Sequence, residues 1–432
     1  MLEKIVLFIL NQRGLVVFVS LVIAVIGIYS YINLPIDAFP DVTNNQVEII
    51  SHADGLSAIE IERDVTYPIE MSMRGLPDVE QLRSVTKFGL SIVTIIFKDN
   101  VDIYFARQVV FERLAEAREQ VPTGVEMALG PVATAMGEIY QYTIDGKYPA
   151  DSLEKIKYLT ELRTLQEWVI TPLLKSINGV NEINSFGGYF KQYQVNISPE
   201  KLVKFDISAN DVFVAVTNNN QNVGGNILEK NSDQYIVRGV GLIENLDDIR
   251  DIVLKSSAGT PVLLGEVAEV RIGEAVRTGA AMINGEQEAV GGIVMMLRGE
   301  NSRDVVEAVK AKVEEINTGN VLPDGLKIVP YYDRSEIVSA SVNTVNKALL
   351  EGAILVLLIL YLLLRSFRAS IIVLIALPLT LCATFIVMKI VGLSANLMSL
   401  GGLAISIGII IDAAIIQMEN VQRHLSESSG DS

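Results

Sequence analysis

Apolar positions along this chain follow two regimes. In the first they run on almost without a break, over residues 15–34, 348–364 with Glu351 near the start, 369–388 and 397–418. As helices, such runs are long enough to cross the hydrocarbon core of a bilayer, so the pattern predicts four membrane spans. In the second regime apolar residues alternate or recur at helical spacing between Gly, Pro, Asn and Asp punctuation. This predicts a strand at 47–52, a helix at 57–74, a strand pair at 79–87 and 90–97, a helix at 103–120 and a strand at 125–129. A second round follows: a strand at 139–144, a helix at 162–176, strands at 280–284 and 289–297, a helix at 302–316 and a strand at 326–331. Each round reads as a split β-α-β unit. The second is interrupted by a small α/β insert at 187–274. The insert's polar stretch 218–226, with Gly224-Gly225, predicts the tip of a protruding hairpin, either a solvated loop or an arm reaching a neighbouring subunit.

The fold class expected is an α+β membrane protein with a large region outside the bilayer. Its expected parts are a first helix in 1–34, a first α/β subdomain in 35–134, a second split between 135–186 and 275–333, the insert 187–274, three further spans in 334–424 and a polar tail at 425–432 whose composition is that of a disordered end. Half of the residues are hydrophobic, yet 20% are charged, and the two populations are segregated. Residues 35–346 hold 28 Lys and Arg against 45 Asp and Glu, so the whole formal charge of −16 belongs to the region between the first two spans. Basic residues beside the spans set the orientation: Lys4, Arg13, Arg365, Arg368 and Arg423 would all face the cytoplasm, leaving the acidic region outside, which in a double-membrane bacterium is the periplasm. The opening run is 20 residues long with no small-x-small cleavage site after it, so a retained anchor is expected. The single Cys382 lies in the third run, which excludes an intrachain disulfide and predicts a small buried apolar residue.

No Walker-type glycine loop, Cys-x-x-Cys pair or nucleophile elbow occurs, and the acidic balance argues against nucleic-acid binding, so neither an enzyme nor an ATP-driven machine is expected, nor any cofactor. The informative chemistry lies in the last span. Asp412 interrupts it, and Glu419 follows seven residues later, which at about 100° per residue returns to nearly the same helix face. A carboxylate is costly in that setting, and one that can be neutralised is suited to carrying protons. The plain alternatives are a structural acid satisfied by a neighbouring helix at 412 and an interfacial residue at 419.

Particular segments also resemble a known family. They are Leu34-Pro-Ile-Asp-Ala-Phe-Pro-Asp-Val, Phe88-Gly-Leu-Ser, Asp102-Ile-Tyr-Phe-Ala-Arg-Gln, Gly137-Glu-Ile-Tyr-Gln-Tyr, Phe190-Lys-Gln-Tyr, Met398-Ser-Leu-Gly-Gly, Asp412-Ala-Ala and Glu419-Asn420. With these the chain resembles the N-terminal portion of a resistance-nodulation-division efflux permease of the heavy-metal-efflux branch. The resemblance implies two ferredoxin-like porter subdomains, a docking subdomain inserted in the second, and a homotrimer in which the docking hairpin enters the next protomer. It further implies an inner-membrane location, a periplasmic adaptor, an outer-membrane channel, and Asp412 with Glu419 as the proton relay. The family carries a second half that repeats the first, whereas this chain stops after the fourth span. The family's relay acid pairs with a basic residue in that second half. Some metal exporters have a further Asp six positions before the relay acid, where Ser406 stands here, and others flank it with methionines, where Ile410 and Gln417 stand.

The transported metal is therefore poorly specified. Copper and silver prefer thioether and thiolate donors, whereas zinc, cobalt and nickel accept imidazole and carboxylate. His52 and His424 are the only histidines and are not paired. Candidate ligands are Met136 and Glu138, which on an extended chain share a face, together with Met398; Met295 and Met296 read as core filler. The plain alternative has Met136 packed in a core and Glu138 solvated. The expectation is proton-driven export of a heavy-metal cation, such as copper, silver, zinc, cobalt or nickel, as the substrate. Its rivals are a non-transporting anchored fragment that assembles with or regulates a pump, and an exporter of organic compounds.

Overall fold

The structure is a computed structural model, and it describes residues 12–37, 39–230, 233–257, 259–277, 279–364 and 367–430. Lys4 and Arg365, two of the expected topology signals, lie outside those residues. The chain divides into two compact units, one made of Met1–Thr143, Thr171–Asn184 and Gly292–Ser432, the other of Ile144–Ile170 and Ser185–Gly291.

In the first unit, β1 (Gln46–His52), helix α2 (58–73), β2 (Val79–Lys87), β3 (Leu90–Phe97), α3 (Ile103–Arg118) and β4 (Glu126–Leu129) follow α1 (Arg13–Ile32). They build a four-stranded sheet of order β2-β3-β1-β4, and the pairings of β2 with β3, β3 with β1 and β1 with β4 are antiparallel. The register follows from alternation: Val47, Ile49 and Ser51 of β1 point inward, opposite Ile95, Val93 and Ser91. Against that face pack Ile61 and Ile69 of α2 and Leu114 of α3, each essentially inaccessible. Fully burying a side chain of that kind stabilises by about 1.5–3 kcal/mol. Local chemistry fixes the helix starts. Ser57 and Glu60 form a reciprocal capping box, and the Asp102 carboxylate accepts from the amides of Tyr104 and Phe105 at 2.9 Å.

The second round of elements repeats this plan with longer spacing. It comprises β5 (Glu138–Asp145), helix α4 (152–175), β6 (Val180–Gly187), β14 (Gln287–Met296), helix Ser302–Thr318 and β15 (Lys327–Asp333). The sheet order is β13-β14-β5-β15, where β13 is Ala281–Ile283, and β6 also pairs with β14. Strand β6 was not foreseen. Half of its sequence Val-Asn-Glu-Ile-Asn-Ser-Phe-Gly is polar, as an edge strand can be. Helix α4 also starts earlier than the predicted 162, because the Asp151 carboxylate caps it through the amides of Leu153 and Glu154. Both α2 and α4 contain a π turn, at Glu62–Thr66 and Gln166–Ile170. Each turn ends two residues before a proline, Pro68 or Pro172, whose missing N–H and bulky ring disrupt the regular ladder and favour the wider turn.

Between β6 and β13 the chain forms β7 (Lys191–Ile197), α5 (Pro199–Phe205), α6 (Ala209–Asn218), β8 (Val223–Lys230), β9 (Asp233–Gly239), α7 (Leu246–Arg250), β10 (Val253–Ser257), β11 (Thr260–Leu263) and β12 (Ala268–Glu274). Leu202, Ile249, Leu264 and Val267 are among the side chains of its core. The chain enters this insert through Gly187 at φ +72°, where a Cβ would stand 1.8 Å from the Ala289 carbonyl oxygen, so only glycine fits. A hairpin is present, but its tip is not 218–226. Strands β8 and β9 pair from Val223 with Gly239 to Lys230 with Asp233, so the polar stretch leads into the hairpin and Gly224-Gly225 lie within its first strand. Alternation of Ile227 and Leu228 against Tyr235 and Ile236 sets the pairing, and these side chains are exposed.

The helix Ser302–Thr318 is α8, and the long helices after β15 are α9 (Arg334–Leu364), α10 (Phe367–Val391) and α11 (Leu397–Gly430). Among the described residues, Gly14–Ile32 and Leu397–Val421 are helices long and apolar enough to cross a membrane, and Pro378–Val391 is a shorter apolar stretch. Helix α11 continues through Gly430, so residues 425–430 prolong it where a disordered tail was expected; no helix breaker intervenes, and extending a formed helix costs little. Helices α1 and α10 approach closely at Gly27, where a Cβ would lie 2.2 Å from that of Cys382. Cys382 is half-buried at this crossing. The C-terminal ends of α1 and α10 and the N-terminal ends of α9 and α11 meet in a cluster of Leu34, Ile36, Val338, Met388, Leu400 and Leu403.

Candidate functional site

Helix α11 is anchored at its start and open along one side. The Asn396 side-chain oxygen accepts from the Ser399 amide and the Ser399 hydroxyl accepts from the Asn396 amide, both at 2.9 Å, which closes a reciprocal cap. One residue earlier, Ala395 bridges to Ile36: the Asp37 amide donates to its carbonyl at 3.1 Å, and its own amide donates to Pro35 at 2.9 Å. Leu400 and Leu403 turn one face of the helix into the apolar cluster. Helical rotation places Met398, Gly401, Ile405, Gly408, Asp412 and Glu419 on a different stripe. Met398, Ile405, Asp412 and Glu419 are exposed there, and a Cβ at Gly401 or Gly408 would meet nothing within 4 Å.

The sequence-predicted acids therefore lie in line, about 10 Å apart along the axis, with Met398 about 21 Å from Asp412 on the same side. Among the described residues neither Asp412 nor Glu419 has a hydrogen bond or ion pair. A carboxylate on an apolar helix with no partner of its own is free to change partner or protonation state, which a satisfied structural acid is not.

The other candidates are arranged differently. Met136 lies in the 3₁₀ turn Ala135–Gly137, and the strand begins only at Glu138, so the two do not share the face of one extended segment; the Gly137 amide bonded to the Thr134 carbonyl at 2.7 Å closes the turn instead. The Glu138 carboxylate accepts from the Gln141 side chain at 2.9 Å. Burial, and after it the Glu138 carboxylate, push Tyr331 above its ordinary range. Burial with help from Asp333 pushes Tyr140 up to about 12, so that phenol stays neutral. Met295 and Met296 are buried, as core filler should be. Among the described residues no three His, Cys, Asp or Glu side chains are grouped so as to hold a metal ion.

Sequence reasoning missed a joint at the head of α9. Arg334 is 4% exposed, and its Nε donates to Asp37 Oδ1 at 2.9 Å with Nη2 2.7 Å from the same oxygen. Its Nη1 donates to the Met136 carbonyl. Next to it, Asp333 accepts from Lys310 Nζ at 2.6 Å and from the hydroxyl and amide of Ser335 at 2.6 and 2.8 Å. Burial alone would raise the Asp333 carboxyl, but these donors outweigh it and hold it below its usual range. The signal available in the sequence was the charged pair Asp333-Arg334 heading an apolar run, with Asp37 just beyond another.

With this geometry in place, comparison with known proteins is informative. The chain is 46% identical over 427 residues to the protein HelA of Legionella pneumophila, covering 99% of this chain and 40% of that protein. It is 46% identical over 429 residues to the cobalt-zinc-cadmium resistance protein CzcA of Cupriavidus metallidurans and 40% identical over 431 residues to the cation efflux system protein CusA of Escherichia coli K12. Each of those alignments covers 99% of this chain and 40% of the relative. A crystal structure described as a heavy metal efflux pump superposes with a TM-score of 0.85 at 39% identity, over 96% of this chain and 41% of that one. The chain thus spans about two fifths of the length of the relatives it matches. Residues 5–432 match the family described as AcrB/AcrD/AcrF, and the chain belongs to that family of resistance-nodulation-division permeases.

Proposed function

We propose that the protein forms the N-terminal part of a proton-driven exporter of heavy-metal cations in the bacterial inner membrane. One observation carries the proposal: among the described residues Asp412 stands without a partner on the open side of an apolar helix, in a chain whose relatives are named for cation efflux and metal resistance. Protonation neutralises Asp412, deprotonation restores a charge that must find a cation or water, and the two states favour different packing of α11. The small residues Gly401 and Gly408 on the same stripe suit close approach by another helix, which would bring the partner cation. Glu419 extends the relay toward the cytoplasmic side.

In this reading α1, α9, α10 and α11 are four spans, the two sheets are porter subdomains of ferredoxin-like form outside the bilayer, and the insert 187–274 is a docking subdomain. The exposed apolar residues Ile227, Leu228, Tyr235 and Ile236 give its hairpin a surface for the next protomer of a homotrimer. An adaptor and an outer-membrane channel complete the assembly. Met398, on the Asp412 stripe, and Met136 with Glu138, at the turn before β5, are candidate ligands along the metal's route; a thioether with a carboxylate does not select between soft and borderline cations.

The test is tolerance to copper, silver, zinc, cobalt and nickel in a strain lacking its own exporters. Cells carrying the complete reading frame that encodes this chain gain tolerance to at least one cation, and Asp412→Asn abolishes the gain at unchanged protein level. Tolerance to organic compounds with no response to any of the five metals contradicts the substrate assignment.

A further inference from the structure

The joint at the head of α9 links segments far apart in sequence through a short series of bonds. Asn396 caps α11, and its neighbour Ala395 accepts from the Asp37 amide. The Asp37 carboxylate holds Arg334, and the Arg334 guanidinium reaches the Met136 carbonyl in the turn before β5. Ser302, at the start of α8, donates to the Ile36 carbonyl at 3.1 Å and ties the same segment to the outer sheet's helix. A buried charge adds little net stability compared with a well-packed apolar residue, whereas its fork geometry fixes directions. Three segments, at residues 37, 136 and 334, meet on the guanidinium, and residues 302 and 395 are tied to them through the backbone of Ile36 and Asp37.

We infer that Arg334 is a positioning residue that couples α11 to the outer domain, so that a change of state at Asp412 is felt at the turn carrying Met136 and Glu138. This rests on the reading of Asp412 as a proton carrier, and it assigns the route by which its state is passed on. A shift of the α11 cap moves Ala395, Ala395 moves the Asp37 backbone, and the Asp37 carboxylate carries Arg334 with it. Lys310 and Ser335 hold Asp333 in place, so Arg334 moves about a fixed neighbour and its displacement falls on the Met136 carbonyl.

Because the Gly137 amide closes that turn on Thr134, its hydrogen exchange reports the turn's opening. The measurement is made on the membrane-embedded product of the complete reading frame. Asp412→Asn, which fixes position 412 in a neutral state, is expected to change Gly137 exchange by about 5-fold or more, the scale of ordinary coupling between sites. In an Arg334→Gln background the same substitution is expected to change nothing, and Arg334→Lys, which keeps the charge but loses the fork, to give an intermediate response. If Arg334→Gln does not accumulate, Asp37→Ala, which removes the accepting oxygen, breaks the same link and should likewise remove the response. A response that persists in the Arg334→Gln or Asp37→Ala background overturns the inference, as does no response in the otherwise unaltered protein. The two readings separate cleanly. Loss of metal export by Asp412→Asn with Gly137 unmoved sinks the coupling route alone, and unchanged export with Gly137 responding through Arg334 sinks the proton-carrier reading alone.

Discussion

The head of α9 and the middle of α11 treat a charge in opposite ways. At the first, Arg334 is almost wholly buried and matched by a carboxylate and a carbonyl. At the second, Asp412 sits exposed on an apolar helix and, among the described residues, has no partner. A buried charge held by a carboxylate fixes one arrangement, since moving it away leaves a desolvated ion without its counter-charge. An unmatched one permits two, and which is favoured depends on whatever approaches it. In the proposed reading the pair works as a lever, with a fixed joint at the head of α9 and a switchable group on α11.

The contrast can be broken most forcefully at the joint. Arg334→Ala removes the buried guanidinium that joins the half-buried Asp37 to the Met136 carbonyl and leaves a cavity, and it is expected to cost about 2–5 kcal/mol, seen as a lower midpoint in chemical unfolding of the detergent-solubilised protein. Asp412→Asn measured in the same way should leave the midpoint almost where it was. Ile49→Ala, in a sheet core cluster that includes neither charge, should cost about 2–5 kcal/mol through the cavity it leaves, without altering the Gly137 exchange response. It thereby separates stability from coupling. Ser57→Ala removes a capping box and should cost about 1 kcal/mol.

Asp333 sharpens the comparison through pH. Its folded carboxyl is held below the unfolded value of about 3.9, so its pairing contributes fully above that value and is lost as pH falls through the folded one. Asp333→Asn should flatten the acid limb of a stability profile and leave the neutral region's slope unchanged. The smallest effect is expected at the exposed pair Lys157 and Glu161, separated by 4.0 Å, where Lys157→Ala should change stability by less than about 0.5 kcal/mol.

Much of the two sheets was legible in the sequence because burial there imposes a period. Val47, Ile49 and Ser51 alternate, and the predicted pair 79–87 and 90–97 matches β2 and β3 residue for residue. Strand β6 escaped because Asn181, Glu182, Asn184 and Ser185 mask its alternation. The hairpin tip was misplaced because a polar, glycine-bearing stretch resembles a turn even where cross-strand pairing extends it as a strand. Asp412 was conspicuous, since a lone carboxylate in an apolar run needs no partner to be noticed. Arg334 was not, because its meaning depends on Asp37, 297 residues away, and only folding brings the two together.

Infrared difference spectroscopy of the membrane-embedded protein tests the central claim most directly. Asp412 should show a protonated carboxyl band that appears or disappears when the transported metal is added, and that is missing in Asp412→Asn. A carboxyl signal at 412 left unchanged by the metal contradicts it.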